Sequence, residues 1–242
     1  MGAFLDSVGE IMSRVERRVE VAAQNISNTT TPGYKREISF ESLVAAQPGD
    51  ARTGAPAGTA GAGPALAIDF AQGAQQTTGD PNDLAIAGSG FFTVQTKGGD
   101  TLYTRQGQFQ RNAEGRLVTA QGAVIQQSGG GDLALKPGDF KVLDDGTVLQ
   151  SGEPVGRIGI SELSDPTSAR LVEDGLYSAP ESTVTSTDTA TIRQGALEAS
   201  NVSLGPEMMT IMAALRQAQS GAQMMNTYDD LMGRVISTFG QG

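Results

Sequence analysis

The side chains of this 242-residue chain that could do chemistry are few, and their types set the first limits. There is no Cys, no His and no Trp. A Ser-His-Asp triad, a thiol nucleophile, a zinc site of the usual ligand set and a haem held by histidine are therefore all excluded. Catalysis would have to run on carboxylates, Lys, Tyr or bound magnesium. The lysines are Lys35, Lys97, Lys136 and Lys141, and none stands in a phosphate-cradling loop or three residues after a Ser or Thr. Gly88-Ser-Gly90 looks like half a dinucleotide fingerprint, but Phe91 and Phe92 continue as strand where a helix would have to begin. Asp144-Asp145 ahead of Gly146 misses the spacing of a calcium loop and fits a hairpin turn. Paired carboxylates could hydrolyse a glycoside, yet with 27 Asp and Glu such pairs arise by chance. No cofactor and no metal site is expected.

The charge balance narrows the partners. Against those 27 acids stand 17 Lys and Arg, for a net charge of −10. That disfavours nonspecific attachment to nucleic acid or to an anionic bilayer. No stretch approaches the ~20 apolar residues of a membrane helix. The first ten residues carry Asp6 and lack the basic patch and apolar run of a signal peptide. Export, if it occurs, is expected to use a route without a cleaved signal.

The elements that must position these residues fall into four zones. From residue 4 to about 28, apolar side chains recur at Leu5, Val8, Met12, Val15, Val19, Ala22 and Ile26, a heptad seam of alternating three- and four-residue steps. Phe4 and Ile11 widen the stripe beyond what one partner helix would cover. Thr31-Pro32-Gly33 ends the helix, because Pro disfavours helical geometry in the residue before it and Gly permits a reversal. Residues 47–65 are almost wholly Gly, Ala, Pro and Thr and cannot bury enough apolar surface to fold alone.

Short apolar runs separated by turns occupy about 67 to 191. Strands are expected at Leu84–Ile86, Phe91–Val94, Thr101–Thr104, Leu117–Thr119, Val124–Ile125, Phe140–Val142, Thr147–Leu149 and Ile158–Ile160. Turns are expected at Lys97–Asp100, Ala113–Gly115, Asp144–Gly146 and Glu173–Gly175. The pattern predicts an all-β sandwich or distorted barrel. A second heptad helix follows from Pro206, with Met208, Ile211, Leu215, Ala218, Ala222, Met225, Asp229, Met232, Ile236 and Phe239 on its seam. The fold class is thus α+β: an all-β central domain flanked by amino- and carboxy-terminal heptad helices. Residues 1–32 with 203–242 form the helical domain, 33–66 a connecting segment and 67–202 the β-rich domain. On this pattern alone, self-assembly and a simple two-helix stalk closing the β domain are both open. A secreted β-rich binding module and a carboxylate hydrolase remain as competing classes.

Three segments resemble one family. Asn25-Ile-Ser-Asn28, followed by Thr31-Pro32-Gly33-Tyr34-Lys35, is similar to the amino-terminal signature of the bacterial flagellar rod and hook axial proteins. Asn82 to Phe92, with Tyr103-Thr104-Arg105 and Gly107, resembles the signature of their β domain. Leu197-Glu198-Ala-Ser200-Asn201-Val202 is similar to their carboxy-terminal signature. The three stand in the expected order and frame most of the chain. The likeness leans to the F-type rod subunits, with the G-type rod subunits next and the hook protein less similar for want of room for a further outer domain. Gln24 departs from an Asn common in the family.

The resemblance implies a structural polymer and no enzyme. It implies export through the flagellar type III apparatus without a cleaved signal, assembly in the periplasm, and partnership with further copies and other rod proteins. The terminal helices would pair as a coiled coil in the inner wall of an axial tube, with Leu5, Val8, Met12, Val15, Val19, Ile26, Ile211, Leu215, Ala222, Met225, Met232 and Ile236 in helix packing. Asn25 and Asn28 would satisfy backbone groups at the end of the first helix or bond a neighbouring subunit. Gly33 would turn the chain out of the inner layer. Nucleic acid, a small-molecule substrate and membrane insertion are not implied.

Overall fold

Two long helices and a β-rich body account for the computed structural model, which describes residues 2–39, 66–165, 168–187 and 190–239. The expected Gly/Ala-rich segment 47–65 lies outside the described residues. Helix α1 spans Gly2–Ser27 and helix α2 spans Leu204–Phe239. Pro206 sits in the first turn of α2, where a missing N–H costs no intrahelical bond. Glu207 follows it and places an acid at the positive end of the helix. After α1 the chain turns at once, with Thr31 N–H donating to Asn28 O at 3.2 Å.

The chain divides into two compact units. One gathers α1, the strand Glu37–Ser39 and α2; the other holds Asn28–Arg36 and Ala67–Val202. In the helical unit α1 and α2 pack against each other. Gly221 of α2 lies so close to Met12 of α1 that an added Cβ would sit 3.6 Å from its sulfur. No described helix is long and apolar enough to cross a membrane.

In the β unit, nine of the described strands form the largest sheet. Its centre is Phe91–Gln95, paired antiparallel with Thr101–Thr104 on one side and with Val124–Ile125 on the other. The strand Ile160–Leu163 also joins Phe91–Gln95 along part of its length, through Ile160 opposite Phe92. Each expected turn closes an antiparallel pair: Lys97–Asp100 joins the central two strands, and Asp144–Gly146 joins Phe140–Val142 to Thr147–Gln150. In that second turn the Asp145 carboxylate accepts from the Thr147 N–H and hydroxyl, both at 2.9 Å. The core holds Phe92, Val94, Leu117, Ile125, Leu133, Val148, Ile158 and Ile192, each 2% exposed or less.

The expected strand Ile158–Ile160 is instead a break. Glu153–Arg157 and Ile160–Leu163 are separate strands, and Ile158 makes only an isolated bridge to Gln127. At Gly159 the chain changes partners: its N–H donates to Gln126 O at 2.8 Å and its carbonyl accepts from Thr93 N–H at 3.0 Å.

Candidate functional site

Several of the family-signature residues, Lys35, Arg105, Glu198 and Asn201 among them, converge inside the β unit on a buried knot. Three chain segments meet there: the inbound residues 33–36, the stretch 69–73 and the outbound residues 198–201. Gly33 N–H donates to Glu198 O at 2.7 Å, and Asn201 N–H to Tyr34 O at 3.4 Å. Asn201 fills the gap between them with its carboxamide. Its Oδ1 accepts from Arg36 N–H at 2.8 Å, and its Nδ2 donates to Asp69 O and Ala71 O at 2.8 and 3.0 Å. One side chain thus serves as a stand-in for strand pairing among three segments.

At the centre is an ion triad. Glu198, 1% exposed, accepts from Lys35 Nζ at 2.5 Å and from Gly73 N–H at 2.8 Å through Oε1. Its Oε2 accepts from Arg105 Nη1 at 3.0 Å. Lys35 is also buried and gives a second bond to Ala71 O at 2.8 Å. Arg105 reaches the Gly88 carbonyl at 2.6 Å and lies over the Phe91 ring, 5.3 Å from its centroid. Burial pushes both cations below their ordinary pKa values, and Glu198 opposes that shift in each. Phe91 in turn sits edge-on in a cluster with Phe70 and Tyr177. The triad is charged and enclosed, and its bonds to Gly73, Ala71 and Gly88 fix the backbone around it.

Gly33 explains why the inbound segment can come so near. Its φ is +71°, and a Cβ there would drive into the backbone carbonyl of Arg105. Of the other signature residues, Tyr34 and Leu197 are buried, while Pro32, Ser200 and Val202 are half-buried. Ser200 Oγ accepts from Val202 N–H at 3.2 Å. Asn28 Oδ1 accepts from the Thr31 hydroxyl at 3.0 Å. Asn25 belongs to the helical unit, is wholly buried, and bonds the backbone of Glu37 through both ends of its carboxamide. Glu37 is itself buried, and its carboxyl is held above the usual range, first by burial and then by the charge of Glu20.

The helix positions expected to pack fall into three groups. On α1, Val8 and Val15 are buried and Met12, Val19 and Ile26 half-buried. On α2, Ile211 and Met232 are half-buried, whereas Leu215, Ala222 and Met225 are exposed. Leu5 and Ile236 lie on the two helices, and their side chains are outside the described residues. Among the described residues of α2 the buried positions are Glu207, Ala214 and Gly221, seven residues apart. Small side chains let α1 approach and leave the large ones on the flanks.

Sequence reasoning did not single out Arg105, Glu37, Ala214 or Gly221 as site residues. Arg105 had a signal, a lone cation directly after the strand Thr101–Thr104 within the β-domain signature. The others had none, because their roles depend on approach distances that spacing along the chain does not reveal.

Comparison with known proteins fits this geometry. Residues 85–175 match the family described as the flagellar hook protein FlgE/F/G D1 domain, and residues 193–238 match the flagellar basal body rod FlgEFG protein C-terminal family. The chain is 36% identical to the flagellar basal-body rod protein FlgF of Caulobacter vibrioides, over 94% of each chain. It is 30% identical to FlgF of Mesorhizobium japonicum over 93% of each. The FlgG rod protein of the same Caulobacter is 26% identical, over 91% of this chain and 93% of its own. The likeness is thus to the rod proteins as a group, and within one organism it is greater to FlgF than to FlgG. The chain belongs to the flagellar basal-body rod protein family.

Proposed function

We propose that this chain, a structural subunit of the flagellar basal-body rod, polymerises with copies of itself and with other rod proteins into a helical tube that transmits torque from motor to hook and encloses the export channel. In this reading residues 1–32 and 203–242 form the inner tube, where the two helices pair as a coiled coil and pack on neighbouring subunits. Residues 33–66 connect, and 67–202 form the outer layer. The chain leaves the cytoplasm through the flagellar type III apparatus without a cleaved signal and assembles in the periplasm, on the F-type side of the family. It carries out no catalysis, takes no small-molecule substrate or nucleic acid, and does not insert in the membrane.

One observation carries the reading. Helix α2 leaves Met208, Leu215, Met224 and Leu231 between 51% and 59% exposed while Ala214 and Gly221 are buried. Apolar area of that kind on a long helix is costly in water and is relieved by association. Methionine adapts to nonequivalent neighbours, as a helical lattice requires. Val15 and Leu215 test both sides of the arrangement, the first buried in the single chain and the second open. Leu215→Asp is expected to leave the subunit folded and exported but to abolish rods in electron micrographs of the mutant strain; Val15→Asp abolishes them by undoing the helical unit. Normal motility and intact basal bodies with Leu215→Asp and Met225→Asp combined would refute the proposal.

A further inference from the structure

The three charges of the knot come from three different parts of the chain. Lys35 lies on the inbound segment, Arg105 in the middle of the β unit and Glu198 on the outbound segment, 163 residues after Lys35 and 93 after Arg105. Among the described residues, Glu198 is the one carboxylate in ion-pair contact with either cation. Lys35 is 1% exposed and Arg105 5% exposed, so neither can turn to water instead. Without the carboxylate, seating Lys35 beside Arg105 places two like charges in a dehydrated site, which is strongly unfavourable.

We propose that Glu198 is an electrostatic lock that makes the docking of the two segments mutually dependent: residues 33–36 seat in the β unit only once residues 196–201 have delivered their carboxylate. Gly33 N–H bonds the carbonyl of the same residue, so one residue supplies both the counter-charge and the first backbone contact. A chain appearing amino terminus first therefore cannot seat its signature early. Both ends of the β unit become fixed in one step, after the last strand is in place. The lock is a property of the single chain and holds whether or not the chain joins a rod.

Hydrogen exchange on the full-length chain reads this directly, because Gly33 N–H and Arg36 N–H report on the docked segment. Glu198→Gln keeps an oxygen acceptor and removes only the charge. It is expected to speed exchange at Gly33 and Arg36 by about tenfold or more, with the amides of 91–95 unchanged. Lys35→Met in the Glu198→Gln background removes one of the two uncompensated cations and is expected to restore protection to within about threefold of the native chain. Native exchange rates in Glu198→Gln, or a double variant no better protected than the single one, would overturn the lock. If Glu198→Gln unfolds the whole β unit, the double variant must refold it, and failure to do so overturns the proposal equally.

Discussion

Asn25 holds Glu37 by the backbone: its Nδ2 donates to Glu37 O at 2.8 Å, and its Oδ1 accepts from Glu37 N–H at 2.9 Å. The carboxamide thereby completes a strand-like pair for a segment twelve residues further on, inside a site with no exposure. Asn25→Asp loses the donor and buries a carboxylate. It is expected to destabilise the helical unit by about 1–3 kcal/mol, more than an exposed substitution such as Ser13→Ala. Urea unfolding followed by far-ultraviolet circular dichroism measures the difference.

Glu37 sets a pH dependence with a definite sign. Its carboxyl titrates above the ordinary 4.5, with burial the larger cause and Glu20 the smaller. Below that ordinary value the folded and unfolded chains are both protonated and the group contributes no penalty. As pH rises the unfolded chain releases its proton first, so folding stability falls until the folded group has titrated too. Glu37→Gln removes this loss. The variant is expected to be more stable than the native chain at pH 7 and equal to it near pH 4 by thermal unfolding; a gap that widens toward acid would contradict the assignment.

Two glycines of nearly equal φ are expected to respond very differently to alanine. Gly79, at +79°, has open space where a Cβ would go, so Gly79→Ala carries only the backbone cost of about 1 kcal/mol. Gly33, at +71°, abuts the Arg105 carbonyl. Gly33→Ala adds a clash with backbone that cannot move aside, for a total above about 2 kcal/mol. Denaturant midpoints of the two variants make the comparison.

Ala214 and Leu215 reverse the usual expectation for large and small side chains. Ala214 is wholly buried and Leu215 is 51% exposed. Ala214→Leu overpacks the helical unit and is expected to cost about 1–3 kcal/mol, whereas Leu215→Ala stays within about 0.5 kcal/mol in the single chain. Thermal unfolding of the purified subunit separates them.

That last contrast shows where the sequence was legible. Short apolar runs between turn signals placed Phe91–Val94, Thr101–Thr104 and Phe140–Val142, because their buried side chains carry the signal. It passed over Gln75–Thr77 and Val184–Ser186, whose side chains are mostly solvated and whose strand character comes from ladder bonds to a distant partner. Leu84–Ala87 was visible while its partner Thr191–Gln194 was not, although the two pair residue for residue. The seam on α2 was drawn through Met208, Leu215 and Ala222, each one residue past the buried Glu207, Ala214 and Gly221, because apolar spacing does not distinguish adjacent small and large residues. Lys35 and Glu198 were both identified from signatures. Their pairing was hidden, since nothing in a separation of 163 residues indicates that an ammonium and a carboxylate will be dried out together.

The stitching of Gly33 to Glu198 and of Tyr34 to Asn201 gives the β unit the topology of a cassette. Its two chain ends are fastened at a single point, while hairpins such as Lys97–Asp100 and Asp144–Gly146 are closed locally. Such a body can be enlarged, trimmed or exchanged at its hairpins while its own two chain ends stay fastened side by side.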